Sequence, residues 1–215
     1  MKDIAIFGAG GFGKEVALMI KRINEAGNDN WNLIGFFDDG KDKGYKVSHL
    51  GEVLGGMDEL NTWDKELSLV IAIGNTTTLL RVRERITNTK ILFPNVIDPS
   101  VKIIDHETFS IGQGNIIQQG CRFSCDVTIG NFNVMNSDIV AGHDVTIGDY
   151  NVIMPDIRIS GEVSIGTQCL IGVGSIILQQ TKIGTGVRLA AGSVLLTKPK
   201  DNSLYMGNPA KRMQF

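Results

Sequence analysis

Two stretches of the 215-residue chain combine residue types and spacings that could do chemistry. GAGGFG, Gly8 to Gly13, has the spacing G-x-G-x-x-G. Between a strand and a helix, such a turn aims backbone N–H groups and a helix N-terminus at a phosphate or ribose. The blander use of the same glycines is close packing of strand on helix. The second stretch is His143 followed by Asp144. An imidazole accepts a proton at neutral pH, and an adjacent carboxylate can orient it and stabilise its cation. The alternative is a surface histidine bonded to a neighbouring loop. Few other groups compete. Cys121, Cys125 and Cys169 are too few and too scattered for a disulfide framework or a closed zinc site, and they read as small fillers. No metal is expected.

The glycine loop sits in the context its chemistry needs. DIAIF predicts a strand, KEVALMIKRI a helix with apolar Val16, Ile20 and Ile23, and LIGFFDD a second strand ending at Asp38 and Asp39. LSLVIAIGN predicts a third strand ending at Gly74, Thr76–Arg85 a capped helix, and KILFP a fourth strand. An obvious reading is NAD binding, with Asp38 on the ribose. The α/β unit is nevertheless spent by about residue 94, half of a dinucleotide domain, and a mononucleotide suits it better.

His143 lies in a repeat. Stepping six residues from Ile111 to Leu195 meets fifteen apolar residues without an insertion. At 42% apolar composition the chance of that run is roughly 10⁻⁶. Ile-Gly recurs every eighteen residues, at 111, 129, 147, 165 and 183. Six residues make one short strand and a corner, and three faces close a triangular coil with the aliphatic pointing inwards. The glycine after each inward residue suits a tight corner or a close backbone approach.

This pattern resembles the hexapeptide-repeat transferases, which fold as left-handed parallel β-helices, an exception to the right-handed crossover rule. With GAGGFG (8–13), FFDD (36–39), IAIGN (71–75), NSDIVAGHDVTIGDY (136–150), SGEVSIG (160–166) and GNPAKRM (207–213), the chain resembles the sialic-acid and nucleotide-sugar acetyltransferases of bacterial glycan biosynthesis. The expected fold is a small Rossmann-like α/β domain (1–94), an all-β left-handed β-helix (95–200) and a C-terminal tail (201–215). The resemblance implies transfer of an acetyl group from acetyl-CoA to the amine of a UDP-linked amino sugar. His143 would be the base, with Asp144 and Asn136 beside it. Gly161, Val173, Ala191, Lys211 and Arg212 would hold acetyl-CoA in the groove between prisms of a homotrimer, with Gly172 and Gly192 leaving room for it. Gly10, Gly11, Phe12, Asp38, Asp39 and Gly74 would hold the nucleotide sugar. Two positions depart from the pattern: Val152 stands where many members have a second histidine, and Asp144 where the usual residue is Glu.

Composition narrows the alternatives. Twenty-one basic residues against 23 acidic ones give a net charge of −2, without the basic excess of a nucleic-acid surface. No apolar run approaches the roughly 20 residues of a membrane span, and the N-terminus lacks a signal-peptide core. A soluble, cytoplasmic enzyme is expected. Sugar O-acetylation and a non-catalytic nucleotide-sugar scaffold are the rival readings. A β-helix carbonic anhydrase would need three histidines on zinc, and the repeat half holds only His106 and His143.

Overall fold

The computed structural model describes residues 1–214, which divide into two compact units, 1–99 and 100–214. In the first, β1 (Lys2–Phe7), β2 (Trp31–Phe37), β3 (Val53–Gly55), β4 (Leu67–Ile71) and β5 (Ile91–Leu92) form an all-parallel sheet in the order β3-β2-β1-β4-β5. Ile4 to Phe7 and all of β4 are buried, the continuous apolar run expected of a sheet covered on both faces. Helix α1 (Gly11–Glu25) buries Val16, Ile20 and Ile23 as its period requires. Helix α3 (Thr76–Arg85) starts at an N-cap where the Asn75 side chain accepts from Thr78 N–H at 2.9 Å. Between β3 and β4 runs the short α2 (Met57–Asn61); β3 and α2 are not among the elements expected from the sequence.

The second unit is a parallel β-helix of two-residue strands, left-handed as expected. One face stacks Lys102–Ile103, Arg122–Phe123, Val140–Ala141, Arg158–Ile159, Ile176–Ile177 and Val194–Leu195. The second stacks Ser110–Ile111, Thr128–Ile129, Thr146–Ile147, Ser164–Ile165 and Lys182–Ile183, and the third runs from Ile116–Ile117 to Arg188–Leu189. From Ser110 to Leu195 the strands pair at a spacing of eighteen residues, for example Phe123 with Ala141 and Ile159 with Ile177. The step from Lys102 to Arg122 is longer; the turn at Asp105, whose carboxylate accepts from Glu107 N–H and Thr108 hydroxyl, absorbs the surplus. Beyond Arg188–Leu189 the third sheet gains Leu204–Met206 in parallel and Lys211–Arg212 antiparallel.

Of the fifteen inward apolar residues all but Ile111 are buried. The residue two places earlier also points in, and on the third face this gives a ladder of buried asparagines. Asn133 donates to the Asn115 side-chain oxygen at 3.0 Å, and Asn151 donates to that of Asn133 at 3.0 Å. The ladder ends at Cys169, whose N–H reaches Asn151 at 2.8 Å and whose thiol donates to the Gly184 carbonyl. Burial pushes that thiol up to about 11. Cys121 is buried likewise, whereas Cys125 occupies a corner.

The corners place the left-handed backbone three residues after an inward residue. Asp126, Asp138, Asp144, Asp156 and Glu162 all have φ between 56° and 62°. Of the two expected uses of the Ile-Gly glycine, close approach is the one found: a Cβ on Gly148 would sit 2.7 Å from the Gly166 carbonyl oxygen, and one on Gly166 2.6 Å from that of Gly184.

Candidate active site

His143 and Asp144 occupy the corner between the first face and the second. The imidazole is half exposed, and its Nδ1 lies 2.7 Å from Asp144 Oδ2. Nδ1–H therefore donates to the carboxylate and Nε2 is left as the acceptor. The left-handed conformation of Asp144 (φ 56°) turns its short side chain back onto the preceding residue, a reach that asparagine-like side chains manage at such corners. The ring lies over Gly161 of the next coil. A Cβ on Gly161 would be 2.5 Å from Nε2 and 2.6 Å from Cε1, so only glycine leaves the imidazole where it is. Gly161 is buried under the ring, and its N–H has no acceptor among the described residues. A proton acceptor and a spare backbone donor thus lie side by side, the pair that acyl transfer to an amine or alcohol needs.

The same corner continues with a residue that the sequence reading passed over. Glu162, eighteen after Asp144, donates its N–H to the His143 carbonyl at 2.8 Å. Its carboxylate accepts from Gln179 at 2.9 Å and from Gln180 at 3.0 Å. The Gln180 and Gln179 amides hold this carboxyl below the usual carboxylate range; the nearby His143 lowers it further, and Asp144 opposes. The eighteen-residue period was the signal that could have found it.

Asn136 lies on a different edge. It follows Val134–Met135 of the third face, where its amide donates to the Ile153 carbonyl at 2.9 Å and approaches Met154 sulfur at 3.8 Å. Val173 and Ala191, both exposed, follow the third-face strands Leu170–Ile171 and Arg188–Leu189 on that edge. One chain therefore separates the expected site into His143, Asp144 and Gly161 on one edge and Asn136, Val173 and Ala191 on another. Beside the latter, Gly192 faces open space, but Gly172 serves the coil above it: its Cβ would meet Ala191 N at 2.5 Å. Val152 is fully buried in the third face, between Val134 and Leu170. Lys211 and Arg212 are exposed, and Arg212 lines a concavity of about 670 Å³ together with Arg188, Asn202 and Ser203.

In the α/β unit the glycines of the loop divide by role. Gly8 has φ 113°, and a Cβ there would lie 2.8 Å from the Ala72 carbonyl oxygen, while a Cβ on Gly13 would run into the Gly8 carbonyl. Those two are packing glycines. Gly10, Gly11 and Gly74 have nothing within 4 Å of the same position. They lie past the C-terminal ends of β1 and β4, where the strand order reverses and α/β sheets leave a crevice. The N-cap of α1, Gly10, carries no side-chain cap, so the first-turn amides beside half-buried Phe12 are left to solvent or ligand. Asp38 accepts from Ala9 N–H at 2.7 Å and Gly40 N–H at 2.8 Å. Asp39 accepts from Met57 N–H at 2.8 Å and Arg85 at 2.6 Å. Both carboxylates thus staple loops, and both line a cavity of about 270 Å³ with Lys41, Lys43 and Arg85.

Known proteins share this build. Residues 3–89 match the family model of the PglD N-terminal domain. No curated protein matches the chain. Among solved structures, the acetyltransferase domain of PglB from Neisseria gonorrhoeae, in complex with acetyl coenzyme A, is 27% identical over 99% of both chains, with a TM-score of 0.87. Over its whole length the chain is thus similar to left-handed β-helix acetyltransferases. PerB from Caulobacter crescentus, in complex with CoA and GDP-perosamine, shares the fold at 24% identity over 100% of this chain and 98% of its own, TM-score 0.87. WeeI from Acinetobacter baumannii does so at 24% over 99% and 100%, TM-score 0.87. The described residues contain no helix long and apolar enough to cross a membrane and no cluster of His, Cys, Asp and Glu able to hold a metal.

Proposed function

We propose that this acetyltransferase N-acetylates an amino sugar carried on a nucleotide, with acetyl-CoA as donor and His143 as general base. The observation that carries the reading is the imidazole whose Nδ1 is held by Asp144 at 2.7 Å while Nε2 lies over Gly161, beside an N–H without an acceptor. Acetyl-CoA supplies an activated acetyl group as a thioester. As the acceptor nitrogen bonds to the acetyl carbon, Nε2 takes the proton that the nitrogen sheds and Asp144 stabilises the resulting imidazolium; the C–S bond then breaks and CoA leaves as the thiol, with the proton that Nε2 returns. The Gly161 N–H is placed to receive charge gathering on the acetyl oxygen. Exposed Val173 and Ala191 beside open Gly192 fit a pantetheine arm, and Lys211 and Arg212 fit phosphates.

The acceptor's nucleotide is assigned to the α/β unit. Open Gly10, Gly11 and Gly74, with the uncapped first turn of α1, suit its phosphates and ribose; Phe12, Asp38 and Asp39 border the same end of the sheet. The splitting of the solenoid residues over two edges supports a homotrimer in which one copy's His143 edge faces another's Val173 edge.

The test is release of CoA thiol from acetyl-CoA with UDP-linked amino sugars first and GDP-linked ones beside them. His143→Ala should lower acceptor-dependent release by about 10²-fold or more. Undiminished release in that variant would overturn His143 as base, and release with sugar alcohols alone would move the reading to O-acetylation.

A further inference from the structure

We infer that Glu162 is a positioning residue for His143: a carboxylate clamped by two glutamines one coil along the corner, which steadies the positive charge that the imidazole takes on. The inference rests on His143 being the base.

Three observations converge on it. The Glu162 N–H holds the His143 carbonyl at 2.8 Å, so the two residues are tied through the backbone. The imidazole lies on Gly161, the residue immediately before Glu162. Each carboxylate oxygen is taken by a different amide, Gln179 and Gln180 at 2.9 and 3.0 Å, although the side chain is exposed and needs no partner for burial. An exposed glutamate normally sweeps through solvent; this one is fixed and kept anionic. The other ionisable groups at this corner are Asp144 beside the ring and Cys125 and Asp126 on the preceding coil. None of them is a cation that would neutralise Glu162. Asp144 fixes the ring by direct hydrogen bond, whereas Glu162 acts at longer range, on the charge. When Nε2 accepts the acceptor amine's proton, the new imidazolium feels the charge of two carboxylates instead of one.

The test is Glu162→Gln, which keeps the backbone bond and the side-chain length. Removing one screened charge should lower kcat/KM on its high-pH plateau about two- to fivefold and displace the acid limb of the pH profile to lower pH. A role in folding alone would lower the rate without moving that limb. A second reading needs no turnover: carbethoxylation of His143 by diethyl pyrocarbonate at pH 6, followed by peptide mass, requires the neutral ring. It should run about two- to fivefold faster in the variant. Gln180→Leu, which frees one oxygen of the clamp, should move both readings the same way by less. A pH profile of unchanged shape together with an unchanged carbethoxylation rate, in a protein that melts like the parent, overturns the inference. If His143→Ala keeps full activity, the base assignment falls separately, and the carbethoxylation rate still decides whether Glu162 acts on the ring.

Discussion

Replacing Gly161 by alanine should disable the enzyme without unfolding it. The added Cβ would lie 2.5 Å from His143 Nε2, 2.6 Å from Cε1 and 3.0 Å from Cδ2. Comfortable separations are about 3.5 Å or more, so the ring is overlapped by about 1 Å and must swing away, breaking the 2.7 Å bond to Asp144. What is lost in stability is small. The His143–Asp144 pair is half exposed and worth at most about 1 kcal/mol, and alanine returns up to about 1 kcal/mol by restricting the unfolded chain. Gly161 is not in the left-handed region, so its backbone accepts a side chain. A positioned base contributes about 10²- to 10⁴-fold; kcat/KM for CoA release should therefore fall at least about 10²-fold while the urea midpoint barely moves. The backbone N–H survives the change, which separates the loss of the imidazole from the loss of the donor. Gly142→Ala supplies the contrast. Its Cβ would meet Gly161 N at 2.8 Å and Cα at 3.1 Å, so the coils themselves must part and stability should fall. A Gly161→Ala enzyme retaining a third or more of its activity, or losing activity only as it unfolds, would refute the placement of the ring.

Two further outcomes follow from the solenoid core. Asn133→Ala leaves the buried N–H and side-chain amide of Asn151 without their acceptor, so denaturant titration should show a loss of about 3 kcal/mol; a loss below 1 kcal/mol would mean that the ladder contributes little. Cys121 and Cys169 are buried and burial holds the Cys169 thiol up at about 11, so a disulfide reagent at pH 8 should modify Cys125 in the native protein and the other two only in denaturant; rapid native labelling of Cys169 would contradict its place in the core.

The repeat was legible because every sixth residue from Ile111 to Leu195 answers to the same constraint, a place inside the prism. What carries no period was harder to read. The three residues of β3 and five of α2 are too short to show one. The left-handed corners were hidden for another reason: Phe132, Tyr150, Glu162 and Gln168 adopt them as readily as glycine, because the stacked coils on both sides dictate the backbone. At the site, His143 and Asp144 are next to each other in sequence and could be read directly. Asn136 precedes His143 by about one hexad, and a step of six moves the chain to the next face; only a step of eighteen keeps a residue on the same edge. Asn136 and His143 thus fall on different edges of one chain, whereas the eighteen-residue step leads from Asp144 to Glu162 on the same edge.

The proposed meeting of two edges from different copies has a countable consequence. His143→Ala removes one edge's contribution; Val173→Trp, at an exposed corner position, should block the other. Each variant alone should be inactive while keeping its oligomeric size. In particles assembled at random from equal amounts of both, an interface works when a Val173→Trp copy lends its intact His143 edge to a His143→Ala copy's intact Val173 edge. That pairing has a chance of about one in four at each interface of a closed ring. Co-expressed variants should thus recover about a quarter of the parent activity per interface, whereas the separately purified proteins mixed just before assay should recover little. A site complete within one chain would give no recovery in either case, since no copy would then carry both halves intact.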